Sequence, residues 1–281
     1  MAFKVANIGL ADSELDCPIY RIYPIWFFEQ ALMINGGNLA LVRPTMWEDP
    51  HEDPCALIQM SAPNGARKQL SGYLQPTFAQ CWSMEGGSDA LLRAYSRVSR
   101  DRVLERNTEP KFEGVKVRTT ARLIMTALEQ YLEKRNDSYY SFWLAKVEYV
   151  DNVFQPVVDR LAEIGPMRLG SGFDRVRSLT FKRKAFEHEQ ELRIIALTPF
   201  GAKQDIALAD VNPNVVFQEV WFDPRLVEFE RLEREGRIRA LGYAGAVTVD
   251  TSYYKTLVDV PLPKHWDELD APAAHATANS T

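Results

Sequence analysis

The chain has 281 residues, 46% of them hydrophobic and 25% charged, so a sizeable core is available to it. A net charge of −5 argues against a protein that coats nucleic acid through a basic surface, though not against a local basic site. Three scattered cysteines, Cys17, Cys55 and Cys81, make no disulfide framework, and no Cys-x-x-Cys pair suggests zinc.

The opening MAFKVANIGLADSELD lacks the apolar stretch of a secretory signal. No apolar run approaches the ~18 residues of a membrane span, and a cytoplasmic location is expected. Residues 1–18 read as a loose lead-in, 19–266 as a single α+β domain, and 267–281, rich in small and polar residues, as a disordered tail.

Ile19–Tyr23 alternates as a short strand ended by Pro24. Trp26–Asn35 reads as a helix stopped by Gly36-Gly37. Leu39–Val42 and Phe78–Ser83 read as strands. Ser88 is placed to cap a helix running to Ser99, with Leu91, Leu92 and Tyr95 on one face. Gly114–Arg118 is a strand, and Thr119 or Thr120 caps the helix Ala121–Lys134. A strand over Phe142–Tyr149, a helix over Phe154–Ile164 and a helix over Phe181–His188 follow. The strand Glu191–Leu197, a strand over Val215–Phe222, a helix over Leu226–Glu235 and a strand over Ala246–Asp250 complete the chain. Strands and helices without strict alternation predict an α+β fold, a mixed twisted sheet flanked by helices.

Six segments carry the chemistry: IYRIYP (19–24), WEDPHE (47–52), CWS (81–83), LLRAYS (91–96), GVKVRTT (114–120) and KRKAFEHEQELRII (182–195). In the last, alternation places Glu189, Glu191 and Arg193 on one face of an extended segment, where two carboxylates could raise one another's pKa, hold a cation or grip ribose hydroxyls. The alternative is a set of surface ion pairs. Arg21 between Tyr20 and Tyr23 suits bidentate binding of a phosphate or carboxylate; equally, it could pair with a structural acid. Asp49-Pro50 is a turn whose acids could cap a helix or grip Arg21, and a metal site from His51, Glu48, Asp49 and Glu52 lacks a second histidine cluster. Cys81 has no partner base in the sequence and reads as a buried structural thiol, whereas Ser83 at the strand end could meet a ligand. Arg175, Arg177, Lys182, Arg183 and Lys184 form a basic stretch that would either steer an anion or lie as a solvated face.

In order and spacing the six segments resemble a bacterial domain-of-unknown-function family, DUF2971, over roughly residues 19–225. The chain departs from that pattern at Glu48, where the family has Asn, at Leu92, where it usually has Trp, and at Phe186, where it often has Trp. More distantly, the order Arg21, Ser83, Glu189-x-Glu191 is similar to the arginine, serine, glutamate-x-glutamate order of ADP-ribosyltransferases. That resemblance implies a related fold and NAD as substrate, with no metal. Arg21, Tyr20, Tyr23 and Ser83 would bind the dinucleotide, with Tyr23 or Trp26 stacking on nicotinamide. Glu191 would be the catalytic carboxylate, and Glu189 would help activate an acceptor. Such an enzyme would modify protein or nucleic acid as a toxin or antiphage-defence effector, with partner proteins of that system. The alternatives are a magnesium-dependent nuclease built on Glu189, Glu191, Asp49 and Lys182, and a non-enzymatic binding or sensor domain in which the same residues form a structural ion network.

Overall fold

The computed structural model of the chain describes residues 5–33, 36–135, 140–253, 258 and 260. The chain divides into two compact units, Met1–Asp250 and Thr251–Thr281, and every element named here belongs to the first. Its strands are β1 (Val5–Ile8), β2 (Pro18–Pro24), β3 (Asn38–Val42), β4 (Gln59–Ser61), β5 (Arg67–Gln69), β6 (Thr77–Ser83) and β7 (Gly114–Thr120). They continue as β8 (Ser141–Lys146), β9 (Glu148–Val150), β10 (Phe181–Arg183), β11 (Glu191–Leu197), β12 (Ile206–Asp210), β13 (Glu219–Phe222) and β14 (Ala246–Thr248). The helices are α1 (Ile25–Met33), α2 (Asp89–Tyr95), α3 (Ala121–Arg135), α4 (Phe154–Ile164), α5 (Pro166–Leu169), α6 (Gly172–Ser178), α7 (Pro213–Val216) and α8 (Glu228–Ala240).

The main sheet runs β1-β8-β11-β6-β2-β7-β13-β14, with β3 also on β6 and β12 on β3. It is mixed: β1 and β8, and β13 and β14, are parallel, while the central pairs are antiparallel. An α+β fold with a mixed, twisted sheet is therefore observed. The sheet forks at β6. Ser83 at its end pairs with Tyr20 of β2, while Ala79 pairs with Val42 of β3.

One face carries the main core. Ile19 and Tyr23 of β2, Phe78 and Trp82 of β6, and Leu192 and Ile194 of β11 pack there with Phe28 of α1 and Ile124 and Leu128 of α3. The other face packs Ala79, Ala145, Ile195 and Leu197 against Val176 and Leu179 around α6. All seven residues of β11 are buried, because it lies centrally and is covered on both faces.

Local chemistry explains several element ends. Ser88 accepts from the Leu91 N–H and caps α2, and Thr120 accepts from the Leu123 N–H at the start of α3. α4 has the bounds expected of it and stops at Gly165, whose φ of 76° few other residues adopt. Several expectations need correction. Phe181–His188 is not one helix: Phe181–Arg183 pairs with β9, and a 3-10 turn over Lys184–Glu189 follows. The pairing of Phe181 with Glu148 outweighs the helical propensity of the segment. The strand expected over Val215–Phe222 begins only at Glu219, because Pro213 and the Asn212 side-chain cap start the helical turn α7. Phe142–Tyr149 divides at Val147 into β8 and β9, since β9 leaves the main sheet to pair with β10. α2 ends at Tyr95, short of Ser99, and α8 is shifted and longer than expected. The short helices α5 and α6 were not anticipated. Within the expected lead-in, Val5–Ile8 is a sheet strand, its residues paired with Phe142–Ala145. Asn35, in the expected first helix, and the expected disordered tail at 267–281 lie outside the described residues. Among the described residues, no helix is long and apolar enough to cross a membrane.

The basic stretch divides: Arg175 and Lys182 are buried in ion pairs, while Arg177, Arg183 and Lys184 lie at the surface. Arg175, 3% exposed, forms a bidentate pair with Asp53, both bonds 2.7 Å, and donates to Thr77 at 2.9 Å. Arg177 pairs with Glu148, Arg183 with Asp49, and Lys182 is buried among carboxylates. Breaking a buried pair strands a charge, so Asp53→Ala should destabilise the fold by about 3–5 kcal/mol in urea denaturation, against under about 1 kcal/mol for Asp89→Ala in the exposed Arg93 pair.

Candidate functional site

β11 begins Glu191-Leu192-Arg193, which puts two charges on the α6 side of a strand with no exposed face. A buried charge is tolerated only when paired, and the partners come from other segments. The turn after Trp47 is set by Asp49, whose carboxylate accepts from the His51 N–H at 3.0 Å and pairs with Arg183 at 2.8 Å. Burial works against the Asp49 carboxylate, but these partners hold it below the usual range. The turn delivers Glu52. β10 delivers Lys182, and the 3-10 turn capped by Gln190, a left-handed residue with φ 43°, delivers Glu189.

The side chains form one cluster. The Lys182 ammonium lies 2.6 Å from Glu189, 2.8 Å from Glu191 and 3.3 Å from Glu52. The Arg193 guanidinium donates to Glu191 at 2.8 Å through Nε, to Glu52 at 2.5 Å, and to the Leu179 carbonyl at 2.7 Å. It also stacks 4.8 Å over the Trp47 ring. Exposure grades the cluster: Arg193 0%, Glu191 3% and Lys182 5% are sealed, whereas Glu52 at 13% and Glu189 at 15% reach the surface. Burial alone would raise the Glu191 carboxyl, but the charge and hydrogen bonds of Arg193 and the charge of Lys182 prevail and bring it from 4.5 to about 2. Glu52 goes the other way: desolvation pushes it up more than Arg193 pulls it down, with the Glu191 charge adding to the rise. Burial also pushes the Cys81 thiol well up, which leaves it protonated and unsuited to nucleophilic attack. Tyr149 accepts from the Glu191 N–H at 2.8 Å, and desolvation raises its hydroxyl to about 12.

Register places Glu191, Ser83, Tyr20, Arg118 and Glu219 in one row across five strands, each opposite the next. Residues opposed in this way share a face, with side chains about 5 Å apart. Glu191, Ser83 and Tyr20 thus share one face, and Glu189 joins them through Lys182. The Tyr20 ring lies over Gly86, where a Cβ would come within 2.6 Å of it. Arg21 and Tyr23 lie on the other face by the alternation of β2, as core membership of Ile19 and Tyr23 confirms. The Arg21 guanidinium stacks 4.8 Å over Tyr23 and donates to the carbonyl of Cys81, at the seam where β2 and β6 part. The Ser83 hydroxyl donates to the Glu189 carbonyl at 2.6 Å and accepts from the Glu85 N–H at 2.9 Å, so it ties two turns together.

Of the grouping expected of a nuclease, Glu189, Glu191 and Lys182 come together but Asp49 does not. Asp49 turns to Arg183 and His51, and the point where the carboxylates converge holds the Lys182 ammonium. Among the described residues, no three His, Cys, Asp or Glu side chains are arranged to hold a metal ion. Glu52 and Trp47 were the cluster members not expected there; Arg193 was expected on the face of Glu191, and Lys182 beside the two glutamates only in the nuclease alternative. The signal for them lay in two of the six segments, WEDPHE and the lysine preceding Glu-x-Glu-x-Arg.

No family model matches the chain, and no curated protein matches it in sequence, so the resemblance to DUF2971 rests on the six segments alone. Among solved structures the chain is similar to Thermus sp. 2.9 DarT, determined in complex with ADP-ribosylated ssDNA, at a TM-score of 0.33 and 10% identity, covering 85% of this chain and 97% of that one. A likeness of that size carries no argument about chemistry.

The Glu191 pKa is depressed on folding, so its stabilisation is complete above 4.5 and is lost as pH falls through about 2. The urea midpoint of the wild type should therefore drop across this window, and the drop should be shallower in Glu191→Gln.

Proposed function

We propose that the chain is an enzyme that transfers ADP-ribose from NAD, with Glu191 as the carboxylate that stabilises positive charge developing at the ribosyl carbon. The observation that carries this reading is an ionised carboxylate, Glu191, fixed by Arg193 and Lys182 on the same sheet face as Ser83 and Tyr20. Glycosidic cleavage needs negative charge that is already in place before positive charge appears, and a carboxylate locked by buried partners needs no reorganisation. Glu189, the most exposed member of the cluster, meets the ribose or the acceptor. Tyr20, over Gly86, offers a ring to the nicotinamide or its ribose. Arg21 enters from the opposite face and acts through the Cys81 carbonyl, holding the strand that carries Ser83. The acceptor would be a protein or nucleic acid in the cytoplasm, in a toxin or antiphage-defence setting.

One observation favours a second reading, in which the cluster is a structural network beside a non-enzymatic binding surface. Lys182 and Arg193 satisfy both oxygens of Glu191 without help from a ligand. The two readings differ in turnover. The enzyme should release nicotinamide from NAD in the presence of chelator, and Glu191→Gln should lose about 10²–10³-fold in kcat by the size of other lost electrostatic groups. Wild-type rates retained in a folded Glu191→Gln would sink the assignment and favour the binding domain.

A further inference from the structure

The cluster does not balance. Three carboxylates, Glu52, Glu189 and Glu191, meet two cations, Lys182 and Arg193, so one negative charge is unmatched among side chains no more than 15% exposed. An uncompensated buried charge is costly and is relieved most cheaply by binding a proton. The contacts distinguish the three carboxylates. Glu191 has each oxygen held at 2.8 Å, by Arg193 and by Lys182. Glu189 has the shortest contact with the ammonium, 2.6 Å. Glu52 has an oxygen, Oε1, whose cationic neighbour is Lys182 at 3.3 Å, and the guanidinium that meets its other oxygen is shared with Glu191.

We propose that Glu52 is the proton-exchanging group of this site and, resting on the reading above, the general base that activates the acceptor. As the acceptor oxygen or nitrogen forms its bond to the ribosyl carbon, its proton passes to the Glu52 carboxylate. The carbon–nitrogen bond to nicotinamide breaks with its electron pair going to the nitrogen, and nicotinamide leaves neutral. The proton then returns to solvent through the 13% of Glu52 that is exposed. The groups facing Glu52 set its titration: Arg193 and Glu191 from β11, Lys182 from β10, and Cys81 from β6, which senses the Glu52 charge. Asp49 and His51 on its own turn are bonded to each other, with Asp49 also held by Arg183. Glu191 stays ionised throughout, so one carboxylate supplies charge and the other moves the proton, the division of labour that opposed environments produce.

Two measurements on the full chain test this. Carbon-13 NMR of glutamate-labelled wild type should show one side-chain carboxyl titrating above the usual glutamate range, absent from Glu52→Gln. With NAD alone and water as acceptor, kcat/KM for nicotinamide release should fall on the acid side with that same midpoint. Glu52→Gln should lose the acid limb and about 10²-fold or more in rate, while Glu52→Asp keeps the limb and part of the rate. No elevated carboxyl in the wild type, or an acid limb that survives Glu52→Gln and disappears in Glu189→Gln, would overturn the proposal. A wild type that releases no nicotinamide overturns the NAD reading and the general-base role with it, and the NMR titration then decides alone whether Glu52 carries the proton.

Discussion

The molecule is organised around a buried ion pair. β11 lies in the middle of the sheet with both faces covered, yet its first and third residues are Glu191 and Arg193. Their mutual bond at 2.8 Å leaves the remaining hydrogen-bonding capacity of each to be met from elsewhere. That requirement draws in the turn at Glu52, the Leu179 carbonyl and the short strand carrying Lys182, and Lys182 in turn holds Glu189. Distant parts of the chain are fixed relative to one another by one buried electrostatic demand. A network of this kind fixes position better than it adds stability, because desolvation offsets much of the Coulomb attraction. Placement of an ionised carboxylate is also what catalysis beside a developing cation needs.

Strand register supplies the second constraint. The alignment of Glu191 with Ser83 and Tyr20 determines which aromatic and hydroxyl groups share the acid's face. The same alternation sends Arg21 and Tyr23 to the core side. A one-residue change of register on β2 would exchange the two sets, so the backbone pairing at Ser83 decides the composition of the site.

Much of this was legible in the chain and some was not. β11 and α4 declare themselves by an apolar run and by a periodic stretch closed by glycine. The face shared by Glu191 and Arg193 follows from alternation alone. Lys182 was misplaced because Phe-Lys-Arg-Lys-Ala-Phe has helical spacing and strong helix formers, whereas its actual conformation is set by pairing with β9 and by Glu52, far away in sequence. Glu189 and Glu191 do come together, but through the Lys182 ammonium and a left-handed Gln190 rather than along one continuous strand. Arg21 was grouped with Ser83 by sequence order. Order does not say which face of a neighbouring strand a side chain takes until the register between strands is known.

The most direct measurement is a crystal structure of the chain with NAD. The nicotinamide ribose should lie on the face of Ser83 and Tyr20, with its hydroxyls toward Glu191 and Glu189. A dinucleotide bound along Arg21 and Tyr23 on the opposite face, away from the carboxylate cluster, would contradict this placement.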